Sequence, residues 1–90
     1  MMARVDVTIP RMLADLVGGQ RRFTVDGDTV DGALAALVER HPELAVHLFD
    51  ETGAMRQHVT CFHNGVTVAG GPVPIADGDA VVILQAVSGG

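Results

Sequence analysis

The chain has 90 residues, 48% of them hydrophobic and 3% aromatic, enough for one small domain with an aliphatic core and too apolar for disorder. Its formal net charge of −5 argues against a nucleic-acid backbone as partner and suits a protein with a basic face, although plain solubility accounts for the same charge. Cys61 is the one cysteine, which excludes an internal disulfide and fits a reducing cytoplasm, and no apolar run approaches the roughly 20 residues a membrane span needs.

The N-terminus predicts a strand rather than a secretory leader. Arg4-Val5-Asp6-Val7-Thr8-Ile9 alternates strictly, with Val5, Val7 and Ile9 on one face. Arg4 and Asp6 also interrupt the terminus before any apolar run could serve as a signal peptide. Pro10 ends the strand. Met12, Leu13, Leu16 and Val17 follow at roughly helical spacing and predict a short helical turn or loop closed by Gly18-Gly19. Arg22 to Val25 alternates again. The short connection makes an antiparallel hairpin the economical pairing.

Asp26-Gly27-Asp28 reads as a turn. Asp28 or Thr29 then caps a helix whose Val30, Ala33, Leu34, Leu37 and Val38 form one apolar stripe. His41-Pro42 ends or bends it. Leu44, Leu48 and Phe49 predict a further helical turn over the core edge, and Glu51-Thr52-Gly53 a loop. His58 to His63 is a third strand ended by Asn64-Gly65, and Thr67-Val68 a short edge strand. Asp77-Gly78-Asp79 is a tight turn. Ala80 to Leu84 is apolar almost throughout, which predicts a central strand with both faces covered, by the fold or by a partner. Gln85 to Gly90 reads as a flexible tail after a domain at residues 1–84.

The one long amphipathic helix has to cover one face of a mixed sheet of four to five strands, with the first and last strands side by side and parallel. That is an α+β, β-grasp arrangement. The expected core is Val5, Val7, Ile9, Val25, Leu34, Leu37, Val38, Val59, Val81 and Ile83.

Other clusters predict less. Cys61 and His63 share a face of their strand while His58 falls on the other, a poor geometry for zinc, which normally takes four ligands. Cys61 lies on the face of Val59, so a buried, inert thiol is expected rather than a nucleophile. The carboxylates Asp26, Asp28, Asp77 and Asp79 read as turn and cap chemistry. No Lys-Ser/Thr follows Gly70-Gly71-Pro72, so it is not a phosphate loop.

The run Ile75 to Leu84 followed by Ala86-Val87-Ser88-Gly89-Gly90 resembles the C-terminal signature of the ThiS/MoaD sulfur carriers. Asn64-Gly65 and Asp26-Gly27-Asp28-Thr29-Val30 resemble the same family, and the likeness spans essentially the whole chain. The long segment from Leu44 to Arg56 looks closest to the molybdopterin-synthase small subunit and to actinobacterial cysteine-biosynthesis carriers. Gln85 stands where a proline is common, and Cys61 and His63 where aliphatic residues are usual. These departures bear on the pathway and leave the terminal glycines untouched.

The resemblance implies a ubiquitin-like β-grasp fold and a chain that is a carrier or co-substrate rather than an enzyme, or the small subunit of a synthase complex. Gly90 is then the site of adenylation and of the thiocarboxylate, and Gly89 gives the tail access. The partners implied are a ubiquitin-activating-enzyme-like adenylyltransferase/sulfurtransferase, which uses the ATP, and a downstream synthase. The carrier itself needs no cofactor. The product is molybdopterin, cysteine, thiamine or a specialised metabolite.

Two other functions fit the same tail: a protein modifier conjugated through Gly90, and a binding-only β-grasp module. Lysine is absent, so lysine-linked chains of this protein cannot form. That tilts the reading toward a carrier.

Strand parity also places Thr60, Phe62 and Asn64 on the side away from the helix, which predicts an exposed Phe62 joined by Val82 and Leu84. With Val87 and Ser88 of the tail, these residues make a candidate docking surface for the activating enzyme. The alternative is that Phe62 packs under residues 44–49 or 70–75.

Overall fold

The computed structural model describes residues 2–69 and 71–85. Five strands form one sheet: β1 (Ala3–Thr8), β2 (Arg22–Gly27), β3 (Val59–His63), β4 (Val66–Val68) and β5 (Ala80–Gln85). Their spatial order is β2-β1-β5-β3-β4. β1 and β2 form the antiparallel hairpin expected from their short connection, with Val5 opposite Val25 and Val7 opposite Phe23. β5 lies parallel to β1 and antiparallel to β3, so the last strand is the central one. The helices are α1 (Arg11–Ala14), α2 (Val30–Arg40) and α3 (Ala45–Leu48), with short 3-10 turns at Asp15–Val17 and Pro42–Leu44.

α2 begins where its sequence permits a complete cap. Thr29 Oγ1 accepts the Gly32 N–H at 3.0 Å, a contact that satisfies one of the amide donors left over at a helix start. The strap at residues 71–75 takes two more: Val30 N–H donates to the Val73 carbonyl at 2.9 Å, and Asp31 N–H to that of Gly71 at 3.1 Å. At the other end the backbone of His41 caps α2 and Pro42 opens the next turn.

The stripe of α2 closes over one face of the sheet. Val30, Ala33, Leu34 and Leu37 are buried with Val5, Val7, Phe23, Val25, Val59, Cys61, Val81 and Ile83. Nine of the ten expected core residues are buried; Val38 is half-buried at the stripe's edge. Leu44 and Leu48 are fully buried in the same cluster, so the second helical segment is part of the core and not merely its rim. In the α1 region the helix changes to a 3-10 turn after one turn. Leu13 is buried and Val17 half-buried, whereas Met12 and Leu16 face solvent.

Two expectations are corrected here and a third is narrowed. Asp26 and Gly27 do not form a turn with Asp28; they continue β2, opposite Arg4 and Ala3. Gly27 is required by packing, because a Cβ there would lie 2.7 Å from the backbone nitrogen of Ala33 in α2. Gly27→Ala is expected to lower stability by about 1–3 kcal/mol, as overpacking against a rigid neighbour does. Chemical denaturation of the two proteins checks it. Secondly, of the two covers expected for β5, the fold supplies one: Val81 and Ile83 are buried, whereas Val82 is half-buried and Leu84 exposed on the face left to the partner alternative. Thirdly, Gln85 belongs to β5, opposite Val59, and not to the tail. The remainder of the expected tail, residues 86–90, lies outside the described residues.

Candidate functional site

The strand that leads to Gly90 is held at both edges, by β1 and β3, and is anchored at its start by three segments. Ala80 N–H donates to Asn64 Oδ1 at 2.8 Å, and the Ala80 carbonyl accepts Asn64 N–H at 2.9 Å. Asn64 reaches this position with a left-handed backbone, φ 49°, a conformation that asparagine tolerates better than most residues. The Asp79 carbonyl accepts Asp6 N–H at 3.1 Å. The Asp79 carboxylate receives Ala76 N–H at 2.8 Å and lies 2.8 Å from His63 Nε2.

These bonds hold the Asp79 carboxyl well below its ordinary value, at about 2; the His63 contact is the largest cause, followed by Asn64 and the Ala76 amide. A depressed folded-state value contributes stability above the ordinary 3.8 that is lost as pH falls through about 2. Asp79→Asn is therefore expected to flatten the loss of stability between those two pH values, relative to wild type. Asp50 is also lowered, chiefly by Thr52, and is common to both proteins. Denaturation midpoints measured at successive pH values give the comparison. Parallel curves would mean that the carboxylate does not stabilise the fold.

The face opposite α2 is divided. Over β1 and β2 it is charged, with Arg4 3.4 Å from Asp26 and Arg22 3.6 Å from Asp6. Over β5, β3 and β4 it is apolar or hydroxylated. Phe62 stands opposite Val82 on one side and Thr67 on the other; Thr60 stands opposite Leu84, and Thr8 beside Val82. Phe62 is half-buried rather than exposed, because these flanking strands cover its sides. Among the described residues of 44–49 and 71–75, the side chains of Leu44, Leu48, Phe49, Val73 and Ile75 pack on the helix-side cluster, from which Phe62 and Val82 are absent. The predicted patch residues Phe62, Val82 and Leu84 thus share one open face at the root of the tail. Val87, Ser88, Gly89 and Gly90 lie outside the described residues.

The other candidates are dispersed. Cys61 is fully buried opposite Ile83, and burial pushes its thiol up to about 11, with the negative charge of Asp31 adding to the effect. His63 is engaged by Asp79, and His58 lies exposed before β3. Among the described residues no three His, Cys, Asp or Glu side chains gather to hold a metal. Asp77 Oδ1 accepts the Arg4 amide at 2.8 Å, and Asp26 is in the ion pair with Arg4. The anchor made by His63, Asn64 and Asp79 was not foreseen as a unit. Its signals were the two turns Asn64-Gly65 and Asp77-Gly78-Asp79, each legible alone.

A model of the ThiS family matches residues 7–90, through the final glycine. The chain belongs to the ThiS family. It is 41% identical over 85 residues to small archaeal modifier protein 1 of Haloferax volcanii, covering 89% of this chain and 97% of that protein. The crystal structure of that relative superposes with a TM-score of 0.85 at 34% identity, covering 98% of this chain and 100% of the other. The chain is also 35% identical over 91 residues to the sulfur carrier protein CysO of Mycobacterium tuberculosis, covering 96% and 98%. One chain of the crystal structure of the Amycolatopsis orientalis BexX/CysO complex matches with a TM-score of 0.85 at 29% identity, covering 96% of this chain and 99% of that one. The fold of this ThiS-family chain is the ubiquitin-like β-grasp, with a mixed five-stranded sheet.

Described residues include no helix long and apolar enough to cross a membrane.

Proposed function

We propose that the chain is a sulfur carrier whose Gly90 carboxylate is adenylated by a partner enzyme and then converted to a thiocarboxylate. The observation that carries the reading is the family match, which runs through Gly90 itself. A carboxylate oxygen attacks the α-phosphate of ATP and pyrophosphate leaves. Sulfur from a donor then attacks the acyl carbon and AMP leaves. The acyl carbon has to enter an enclosed site and align there. Gly89 and Gly90 have no Cβ, so the tail can thread a narrow channel at any backbone angle. The acids, bases and nucleotide pocket belong to the activating enzyme. The sulfur acceptor is a downstream synthase, for a product such as molybdopterin, cysteine, thiamine or a specialised metabolite.

The test is to incubate the chain with its activating enzyme, ATP and a sulfur donor and to weigh it intact. Replacement of one C-terminal oxygen by sulfur is the expected result; an unchanged mass beside a demonstrably active enzyme would remove the carrier reading. A second reading, a modifier joined to lysines of other proteins, is favoured by the 41% identity to a small archaeal modifier protein. Mass spectrometry of the protein from its host separates them, as thiocarboxylate or as conjugate.

The open half-face of β5, β3 and β4 is the natural docking surface for the activating enzyme, with Phe62 at its centre and Val82 and Leu84 beside it. Aromatic anchors of this kind often dominate interface affinity. Phe62→Ala is expected to weaken binding to the activating enzyme by on the order of 2 kcal/mol, roughly 30-fold, while the fold persists. Titration calorimetry beside thermal unfolding measures both. Collapse of stability with unaltered binding per folded molecule would put the docking face elsewhere.

A further inference from the structure

An activated acyl carbon on a tether is in danger from its own protein. A side-chain amine within reach would meet it at an effective concentration in the millimolar range, far above that of a free acceptor. Amine attack forms an amide bond as the acyl–oxygen bond to AMP breaks. AMP leaves with the bonding pair and the amine's proton passes to solvent. A thiol gives a thioester by the same exchange. Imidazoles and carboxylates give labile adducts that hydrolyse back to the acid, and a threonine or serine hydroxyl without a base beside it is too weak a nucleophile to compete with solvent water, so amines and thiols are the side chains that matter.

Resting on the carrier reading, we propose that this chain is built as a donor only: its own side chains cannot capture its activated Gly90 in a lasting adduct. Two independent observations carry this. All six basic residues are arginine: Arg4, Arg11, Arg21, Arg22, Arg40 and Arg56. A guanidinium stays protonated and offers no free lone pair, unlike a lysine amine, which loses its proton readily when its surroundings favour it. The remaining strong nucleophile, Cys61, has no exposed surface; it sits in the centre of the core between Ile83 on β5 and Val68 on β4. Burial also keeps it as the thiol, the unreactive form.

The placement of one arginine shows what the substitution avoids. β1 and β5 are parallel, with Thr8 beside Val82. Arg11 follows Thr8 by three residues and Gln85 follows Val82 by three, so both stand at the same end of the sheet. Residues 86–90 extend at most about 18 Å from that end. A lysine at Arg11 would stand at the end of the sheet where β5 finishes at Gln85. It follows that a side-chain amine or thiol that captures the acyl group in a lasting bond has to come from another molecule.

The test uses the full 90-residue chain carrying a C-terminal aryl thioester made chemically, with its α-amine acetylated, held at pH 8 and weighed intact over time. The folded wild type is expected to yield the thioester and its hydrolysis product. Arg11→Lys is expected to accumulate a species one water lighter than the acid, the internal amide, at least about ten-fold above wild type. Wild type in denaturant is expected to lose its aryl thiol to Cys61. An internal or intermolecular adduct from folded wild type would overturn the inference. So would an Arg11→Lys variant that does not acylate itself, since the silence would then not come from the missing amine. No enzyme takes part, so failure of enzymatic activation would remove the carrier reading and leave this result standing.

Discussion

A chain lacking Gly90 is expected to lose adenylation by its activating enzyme, by at least about 100-fold, with its unfolding temperature unchanged. Removing one residue draws the carboxylate back by up to about 3.5 Å, and a misplacement of 1 Å at a reacting centre can already cost about 100-fold. Adding a residue after Gly90 displaces the carboxylate outward by the same step and is expected to do the same. Stability should not register either change, because among the described residues the core cluster ends at Ile83 and the sheet at Gln85. The measurement pairs adenylation, read as pyrophosphate release, with a thermal melt. Normal adenylation without Gly90 would sink the proposed mechanism.

The fold and the candidate site differ in how plainly the amino acids announce them. Gly89 and Gly90 are read from the sequence alone, because the role proposed for them consists in having no side chain, which one residue shows by itself. β1 and α2 are legible because alternation in Val5, Val7 and Ile9, and the 3.6-residue stripe in Val30, Ala33, Leu34 and Leu37, are local properties. Gly27 misleads for the opposite reason. Flanked by Asp26 and Asp28 it has the composition of a turn, but it is there because α2 passes 2.7 Å from where its Cβ would be. That constraint belongs to another element. Phe62 is intermediate: parity places it on the open face, but its cover comes from Val82 and Thr67, which only the register supplies. The anchor at Asp79 is the least legible, because it exists only when three segments meet.

Those same observations explain why the open face can differ from the core without weakening the fold. Every strand alternates between the two, so the side chains that hold α2 and those of the open face are separate sets on one backbone. Val81 and Ile83 stabilise; Val82 and Leu84 are free for a partner.

Leu34→Ala is expected to produce the largest loss of stability, roughly 2–5 kcal/mol. Leu34 has no exposed surface and sits mid-stripe on α2, within the cluster that joins the helix to the sheet. Deleting its branched end removes apolar burial and leaves a cavity. The cavity has little means of collapse, since Leu37, Leu44 and Leu48 are themselves fully buried. With about 0.05–0.15 kcal/mol of stability per residue typical of small domains, a 90-residue chain has little reserve against such a loss. Helix propensity does not offset it, because Ala and Leu both favour helix. Urea denaturation of the wild type and the variant measures the difference. A loss below roughly 1 kcal/mol would mean that the site relaxes around the smaller side chain, and that α2 is held mainly by its cap and strap rather than by its stripe.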